Sequence, residues 1–238
     1  MTNLATNLTS TAATNAEQDA LRINGQGVTH AQLHAMAAAV AGALRANGIQ
    51  PGDRVAIILP NVPAFPVVYW GILLAGGIVV PMNPLLKAGE IDYFFTDSGA
   101  KIAFVWPDFV PEAIKGAQNS GTQIIECGPM GPVAGSFEGG DPITDPHERA
   151  DDDTAIILYT SGTTGRPKGA ELTHSNIHLN ALRSAKVIQQ MTADDIVMGC
   201  LPLFHVFGLV VGLNAATIAG ASLALIPRFD PAAAIEVI

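Results

Sequence analysis

"DTAIILYTSGTTGRPKGAELTH", residues 153–174, is the stretch on which the reading of this chain turns. An apolar run ending at Tyr159 and Thr160 passes directly into hydroxyls and glycines, with one lysine at the exit. "DTAIILYT" (153–160) is continuous rather than alternating in hydrophobicity, the pattern of a strand covered on both faces of a parallel sheet. The loop after it admits two readings, a mobile Ser/Thr/Gly linker or a cradle for an anion. For the cradle, Gly162, Gly165 and Gly169 permit positive φ and close backbone approach, so that successive N–H groups converge. Thr160, Ser161, Thr163 and Thr164 add hydroxyl donors, Lys168 adds charge, and Pro167 stiffens the backbone beside it. A unit charge pair about 4 Å apart is worth ~1 kcal/mol in water and ~4 kcal/mol at an effective dielectric near 20. One lysine therefore tunes phosphate binding, and the hydroxyls and amides must share the task. The spacing is not the nucleotide-triphosphatase G-x-x-x-x-G-K-[ST], since Pro167 precedes Lys168 and the strand-like "GAELTH" follows where a helix would. The abrupt strand entry and the lone lysine favour the cradle over the linker.

Outward from the loop, strand and helix patterns alternate. "VTHAQLHAMAAAVAGALRANG" has Thr29 and Gln32 in capping-box spacing and closes at Gly48, which predicts a helix over about 30–47. "RVAIIL" (54–59), "GIVVPM", "KIAFVW" and "TQIIEC" read as strands, separated by the helices "AFPVVYWGILLAG", "AGEIDYFFTDSG" and "PDFVPEAIKGAQN". This rhythm implies an α/β fold with mostly parallel sheets flanked by helices. Residues 1–14 read as a polar tail and 15–127 as a first α/β subdomain. Residues 128–150 are rich in Gly and Pro, lack periodicity, and read as a long surface connection. Residues 151–238 resume with the phosphate-loop strand. After "GAELTH" come a helix "NIHLNALRSAKVIQQ", a strand "DIVMGCLP", an apolar helix and a strand "SLALIP". Asp230 and Pro231 then have the cap and first-position pattern of a last helix, with no C-terminal signal before Ile238.

Hydrophobic residues make up 49% of the 238 residues and charged residues 14%, which excludes a disordered chain. The net charge of −9 argues against nonspecific nucleic-acid binding. Cys127 and Cys200 lack partner spacing, so neither a disulfide framework nor a Cys zinc site is expected, and a reducing cytoplasm is the default. Two uncharged stretches, Val55 to Leu86 and residues 203–226, invite a membrane reading. Prolines cut the first into pieces too short to span, and glycines weaken the second, so buried core is the better account.

The loop "YTSGTTGRPKG" resembles the signature loop of the adenylate-forming (AMP-binding) superfamily, which includes acyl- and aryl-CoA synthetases, luciferases and peptide-synthetase adenylation domains. "ALRANGIQPGDRVAIILPNVPAFPVVYWGILLAGGIVVPMNP" is similar to the family's N-terminal region, "ELTHSNI" to the segment after its loop, and "LPLFHVFGL" to an aromatic-His segment bordering its acyl pocket. The match covers about residues 15–238 and looks most like bacterial fatty-acyl-CoA ligases. The fold it implies is the N-terminal part of the family's large domain. The activity it implies is fatty acid + ATP + CoA to acyl-CoA + AMP + pyrophosphate, through an acyl adenylate, with Mg2+ accompanying ATP. By position, Thr160, Ser161, Gly162, Thr163, Thr164, Gly165 and Lys168 would clasp the β- and γ-phosphates. His205 would line or gate the acyl site, Phe204, Val206 and Phe207 would give apolar wall, and Gly208 would leave room for the chain. The resemblance assigns no catalytic side chain within these residues. It places a Mg-holding acid, a ribose-gripping Asp and a C-terminal domain with a catalytic lysine beyond Ile238, so this chain alone is expected to bind ATP weakly and adenylate poorly.

Other candidates carry less. Without the resemblance His205 reads as a packed core histidine. His174 and His178 sit four apart but lack the glutamate of a zinc-protease motif, so no metal site is expected, and His174 reads as capping the helix that begins there. "DDD" (151–153) reads as a solvated run, and no G-x-S-x-G supports a hydrolase. Besides a ligase, two readings stay open: a short non-catalytic relative that binds a nucleotide or acyl chain, and an enzyme that makes acyl adenylates for a carrier protein. The partners expected are small molecules, with neither nucleic acid nor a transmembrane segment. A fatty substrate is compatible with peripheral membrane contact, although no basic amphipathic helix supports it.

Overall fold

The computed structural model describes residues 3–160, 165–231 and 234–235. Five apolar runs form the parallel heart of one sheet: β3 (Arg54–Ile58), β4 (Ile78–Pro81), β5 (Ile102–Val105), β6 (Gln123–Gly128) and β8 (Thr154–Thr160). The short β7 (Gly131–Pro132) and β9 (Lys168–Thr173) close its two edges antiparallel, giving the order β7-β6-β5-β3-β4-β8-β9. β4 and β5 are buried at every residue, which is why these runs show no alternation. A second sheet has the order β10-β11-β1-β2, from Ile196–Gly199, Ser222–Leu225, Asp19–Ile23 and Gln26–Thr29. Its first three strands are parallel, and β2 folds back on β1. The expected α/β class with mostly parallel sheets and flanking helices is the observed one.

Helix α2 (His30–Ala46) starts where its capping box places it: the Gln32 N–H donates to Thr29 Oγ1, and the Thr29 N–H to Gln32 Oε1. Helix α3 (Ala64–Leu74) is buried at all eleven residues, between α2 and the first sheet. A Cβ on Gly71 would meet Val40 and the Ala37 carbonyl, so glycine is what lets α2 and α3 approach. Total burial explains the uncharged stretch around it. Among the described residues no helix is long and apolar enough to cross a membrane.

Three expectations are corrected. Residues 1–14 are no polar tail: Thr6–Thr14 form helix α1, and Leu4 and Leu8 are fully buried. The polar side chains find partners far along the chain. Asn3 Nδ2 donates to the carbonyls of Leu73 and His147, Thr11 Oγ1 donates to the Thr217 carbonyl, and the Leu4 N–H donates to Nδ1 of His174 at 3.0 Å. His174 is therefore not a cap. Thr173 caps α6 (His174–Arg183), reciprocally with Asn176, while His174 and His178 hold the N-terminal segment, the latter with Nδ1 3.1 Å from Asn7 Oδ1. The second correction concerns subdomain limits. β1 and β2 lie within 15–127 yet join the sheet of β10 and β11, whereas β8 and β9 lie after residue 150 and complete the first sheet. Parallel pairing carries each strand to its sheet regardless of chain distance. Third, the 128–150 connection is not purely superficial. Phe137 is buried edge-on against Phe104, and Ile143 and His147 donate their N–H groups to the Ala38 and Leu74 carbonyls.

The β1–β2 hairpin is an element that the strand pattern does not predict, although Asn24 and Gly25 both take positive φ, as an Asn-Gly turn requires. Residues 184–188 and 207–214 keep helical continuity but in π register, and most of the helix expected from Pro231 falls outside the described residues.

Burial, with Arg149 nearby, pushes the His174 imidazole down to about 4, against some help from Asp153 and Asp151. A folded pKa below the unfolded one means the unfolded chain binds more protons as pH falls through 6.5 toward 4, so stability is lost in that window. Urea unfolding at pH 7.5, 6, 5 and 4.5 should show stability falling with acid, His174 contributing up to about 1.4 kcal/mol per pH unit. His30 and His178 are depressed in the same direction, so His174→Asn should flatten the slope without abolishing it.

Candidate active site

β8 emerges from the sheet at the same rim as its parallel neighbours, and at its end Thr160 stands opposite Lys168 in the β8–β9 ladder. Strand pairing thus holds the two flanks of the glycine-rich segment, up to Thr160 on one side and from Lys168 on the other. Ser161, Gly162, Thr163 and Thr164 lie outside the described residues. Gly165 has φ +92, open space around it, and the left-handed backbone expected. Gly169 is needed for a different reason: φ is not positive there, but a Cβ would press on Ile157 Cγ2 and the Tyr159 ring. Lys168 is exposed, and among the described residues its ammonium has no carboxylate or hydrogen-bond partner. A cation without a partner at a hairpin mouth is available to an incoming anion.

Phe204 and His205 face the hairpin across a cavity of about 630 Å³ that Leu158, Thr160, Pro167 and Val206 also line. Nδ1 of His205 accepts the Phe207 N–H at 3.2 Å, which assigns the neutral ring its proton on Nε2. Phe204 also borders a larger cleft of about 1100 Å³ lined by Asn61, Leu85, Trp106, Ile226 and Phe229. These follow the carboxyl ends of β3, β4, β5 and β11, the rim where open parallel sheets place ligands. Phe207 does not reach the 630 Å³ cavity; it lines two smaller grooves beside the π-helical segment, of 420 and 170 Å³. At Gly208 a Cβ would run into the Pro202 and Leu201 carbonyls, so glycine there permits a close turn, while the residue also lines the 170 Å³ groove.

Asn61 joins the site without any sequence signal to announce it. Buried at the end of β3, it donates Nδ2 to the Gly199 and Leu201 carbonyls and accepts the Leu203 N–H on Oδ1. One side chain from the first sheet thereby sets the path of the segment that carries Phe204 and His205. No local pattern marks it, since its partners lie some 140 residues away. "DDD" is structural as well: the Asp153 carboxylate pairs with Arg149 at 3.0 Å and its backbone carbonyl accepts the His174 N–H.

A family model described as "AMP-binding enzyme" matches residues 8–238. The chain belongs to this family. It is 30% identical to a long-chain-fatty-acid–CoA ligase of Bacillus subtilis, over 97% of this chain and 47% of that protein. It is 32% identical to a feruloyl-CoA synthase of an Amycolatopsis species, over 92% of this chain and 43% of the other. The fold superposes on apo MatB of Rhodopseudomonas palustris with a TM-score of 0.87 and 33% identity, covering all of this chain and 47% of that one. The chain thus spans about half the length of the AMP-binding relatives it matches. Membership brings a magnesium ion into question. Among the described residues no three His, Cys, Asp or Glu side chains gather as a metal site, and an ion that accompanies ATP needs no such group, because phosphates and one or two carboxylates hold it.

Replacing Asn61 with Leu keeps the volume but orphans two carbonyls and an N–H. The expected loss is at least about 1–3 kcal/mol, the cost of one unsatisfied buried group. Denaturant midpoints of Asn61→Leu and wild type measure it, and equal midpoints would remove Asn61 as the tie between the sheets.

Proposed function

We propose that the protein takes part in ATP-dependent activation of a carboxylic acid. The observation that carries the reading is that the phosphate-loop hairpin and the Phe204–His205 segment share one cavity. ATP phosphates and an acid bound there lie side by side. A carboxylate oxygen attacks the α-phosphorus, the bond to the bridging oxygen breaks, and pyrophosphate leaves with the electron pair. The thiol of CoA then displaces AMP from the acyl adenylate and forms the thioester.

In this reading Thr160, Gly165 and Lys168, with Ser161, Gly162, Thr163 and Thr164, hold the β- and γ-phosphates. Their charge and donors stabilise negative charge as it builds on the departing pyrophosphate. Mg2+ enters with ATP. His205 donates Nε2–H toward the acid or the adenylate, and Phe204 is apolar wall. Phe207 and Gly208 act one step back, shaping the segment. The relatives' names cover fatty acids and ferulate. A wall of Leu158, Leu172, Phe204 and Val206 supports an acid with an apolar chain, and a fatty acid is the substrate we favour. Both cysteines are free, in keeping with a cytoplasmic setting. In this scheme the residues of this chain supply the phosphate-binding part of the reaction.

Calorimetric titration with pyrophosphate tests the loop. Binding by wild type, weakened about ten-fold in Lys168→Ala for the ~1.4 kcal/mol of a half-screened charge pair, is expected. Carboxylate-dependent ATP–pyrophosphate exchange with fatty acids and ferulate then ranks the acids. A folded wild type that binds neither pyrophosphate nor ATP would sink the proposal.

A further inference from the structure

We propose that α4 (Ala88–Ser98) is the anvil on which the phosphate-loop hairpin is set, and that Tyr93 is its positioning residue. The inference rests on the phosphate reading of the loop and adds residues which that reading does not contain. Both limbs of the hairpin dock on one face of α4. On the exit limb, the Tyr93 hydroxyl donates to the Pro167 carbonyl at 2.8 Å, and the Arg166 guanidinium lies over the Tyr93 ring, 5.7 Å from its centroid. On the entry limb, the Tyr159 ring stacks on Phe94 with centroids 4.1 Å apart, and its hydroxyl donates to the Asp97 carboxylate at 2.7 Å. Tyr93 and Tyr159 also meet edge to face at 6.3 Å. Tyr93 and Asp97 are four residues apart, one helical turn, so a single helix face grips both limbs.

Strand pairing alone does not explain this arrangement. The β8–β9 ladder ends at Thr160 and Lys168, and the exit limb beyond it has left the sheet. Arg166 and Pro167 are exposed or half-buried, too little covered for packing to hold them. A proline has no N–H to pair, so its carbonyl is the backbone handle available at that position. Tyr93 takes that handle directly before Lys168, and so fixes where the lysine's backbone leaves the loop. An exit limb already in place presents Lys168 to an anion without first giving up conformational freedom. The Arg166 charge is held on the Tyr93 ring, close to the mouth.

Tyr93→Phe removes one hydroxyl and keeps the ring, its contact with Tyr159 and its place under Arg166. Tyr159→Phe does the same on the other limb, so neither variant threatens the fold. Hydrogen exchange on the 238-residue chain, followed by mass spectrometry, reads the loop without any ligand. Titration with inorganic pyrophosphate reads its use. For Tyr93→Phe, exchange across residues 165–169 should speed up about three- to ten-fold, the range of one net hydrogen bond. Pyrophosphate affinity should fall by a similar factor, with α4, β5 and the melting temperature unchanged. Tyr159→Phe should act on residues 159–160 in the same way. Wild-type exchange in both variants would overturn the proposal. So would a change spread over α4 and β5 with a lower melting temperature, because that is helix packing and not loop placement. Unaltered pyrophosphate affinity despite faster exchange would likewise overturn the positioning role. If wild type binds no pyrophosphate while exchange still responds, the anchoring stands and the phosphate reading fails.

Discussion

Parallel pairing is the constraint from which the rest of this structure follows. Strands β3, β4, β5 and β8 run in one direction, so their carboxyl ends meet at one rim, and β10 and β11 do the same in the second sheet. Residues at those ends have left the ladder, and their polar groups need other partners. Asn61 answers this need between the sheets, and the β8–β9 hairpin answers it beside them. The candidate site is where these solutions meet. Its cavity lies between a hairpin of the first sheet and a segment leading out of β10.

The N-terminal segment serves the same architecture from the opposite direction. Asn3 reaches the end of α3 and the 128–150 connection, His174 and His178 reach in from α6, and Thr11 reaches α7 (Ala215–Ala219). One short N-terminal segment thus ties together α3, α6, α7 and the 128–150 connection. Its buried polar atoms are mostly paired, which is what makes the arrangement stable. A buried amide or imidazole with a partner costs little, whereas one without costs several times more.

How much of this was legible in the sequence depended on how far each residue's partner lies. Helix α2 announced itself because Thr29 and Gln32 are three residues apart, and β8 because its whole apolar run is local. The cradle's hydroxyls, glycines and lysine also lie within about ten residues, so a phosphate reading could be reached before any fold was known. α1 could not be recognised in this way. Its composition is polar, and the partners that make burial tolerable lie 70 to 206 residues away. Asn61 and Tyr93 were invisible for the same reason. The β1–β2 hairpin is a different case. The Asn24–Gly25 signal is present, but the strands are short and half-exposed, and no clear alternation flanks the turn. Gly208 has a use that only three-dimensional context reveals, since its missing Cβ makes room for the Pro202 and Leu201 carbonyls.

The charge balance follows the same short-range logic. A chain with net charge −9 is an unpromising host for an anion if charge is summed over its surface. At physiological ionic strength exposed charges are screened within about 8 Å, so the total matters less than what stands at the hairpin mouth. There Lys168 has no partner among the described residues, and Arg166 rests on the face of the Tyr93 ring. The nearby carboxylate, Asp97, accepts the Tyr159 hydroxyl, and burial together with that carboxylate raises the Tyr159 pKa and keeps the phenol a donor. The Asp97 carboxylate is thereby bound into the support of the hairpin. An acidic protein can in this way present a locally cationic, donor-rich loop, and its acids help to hold that loop in place.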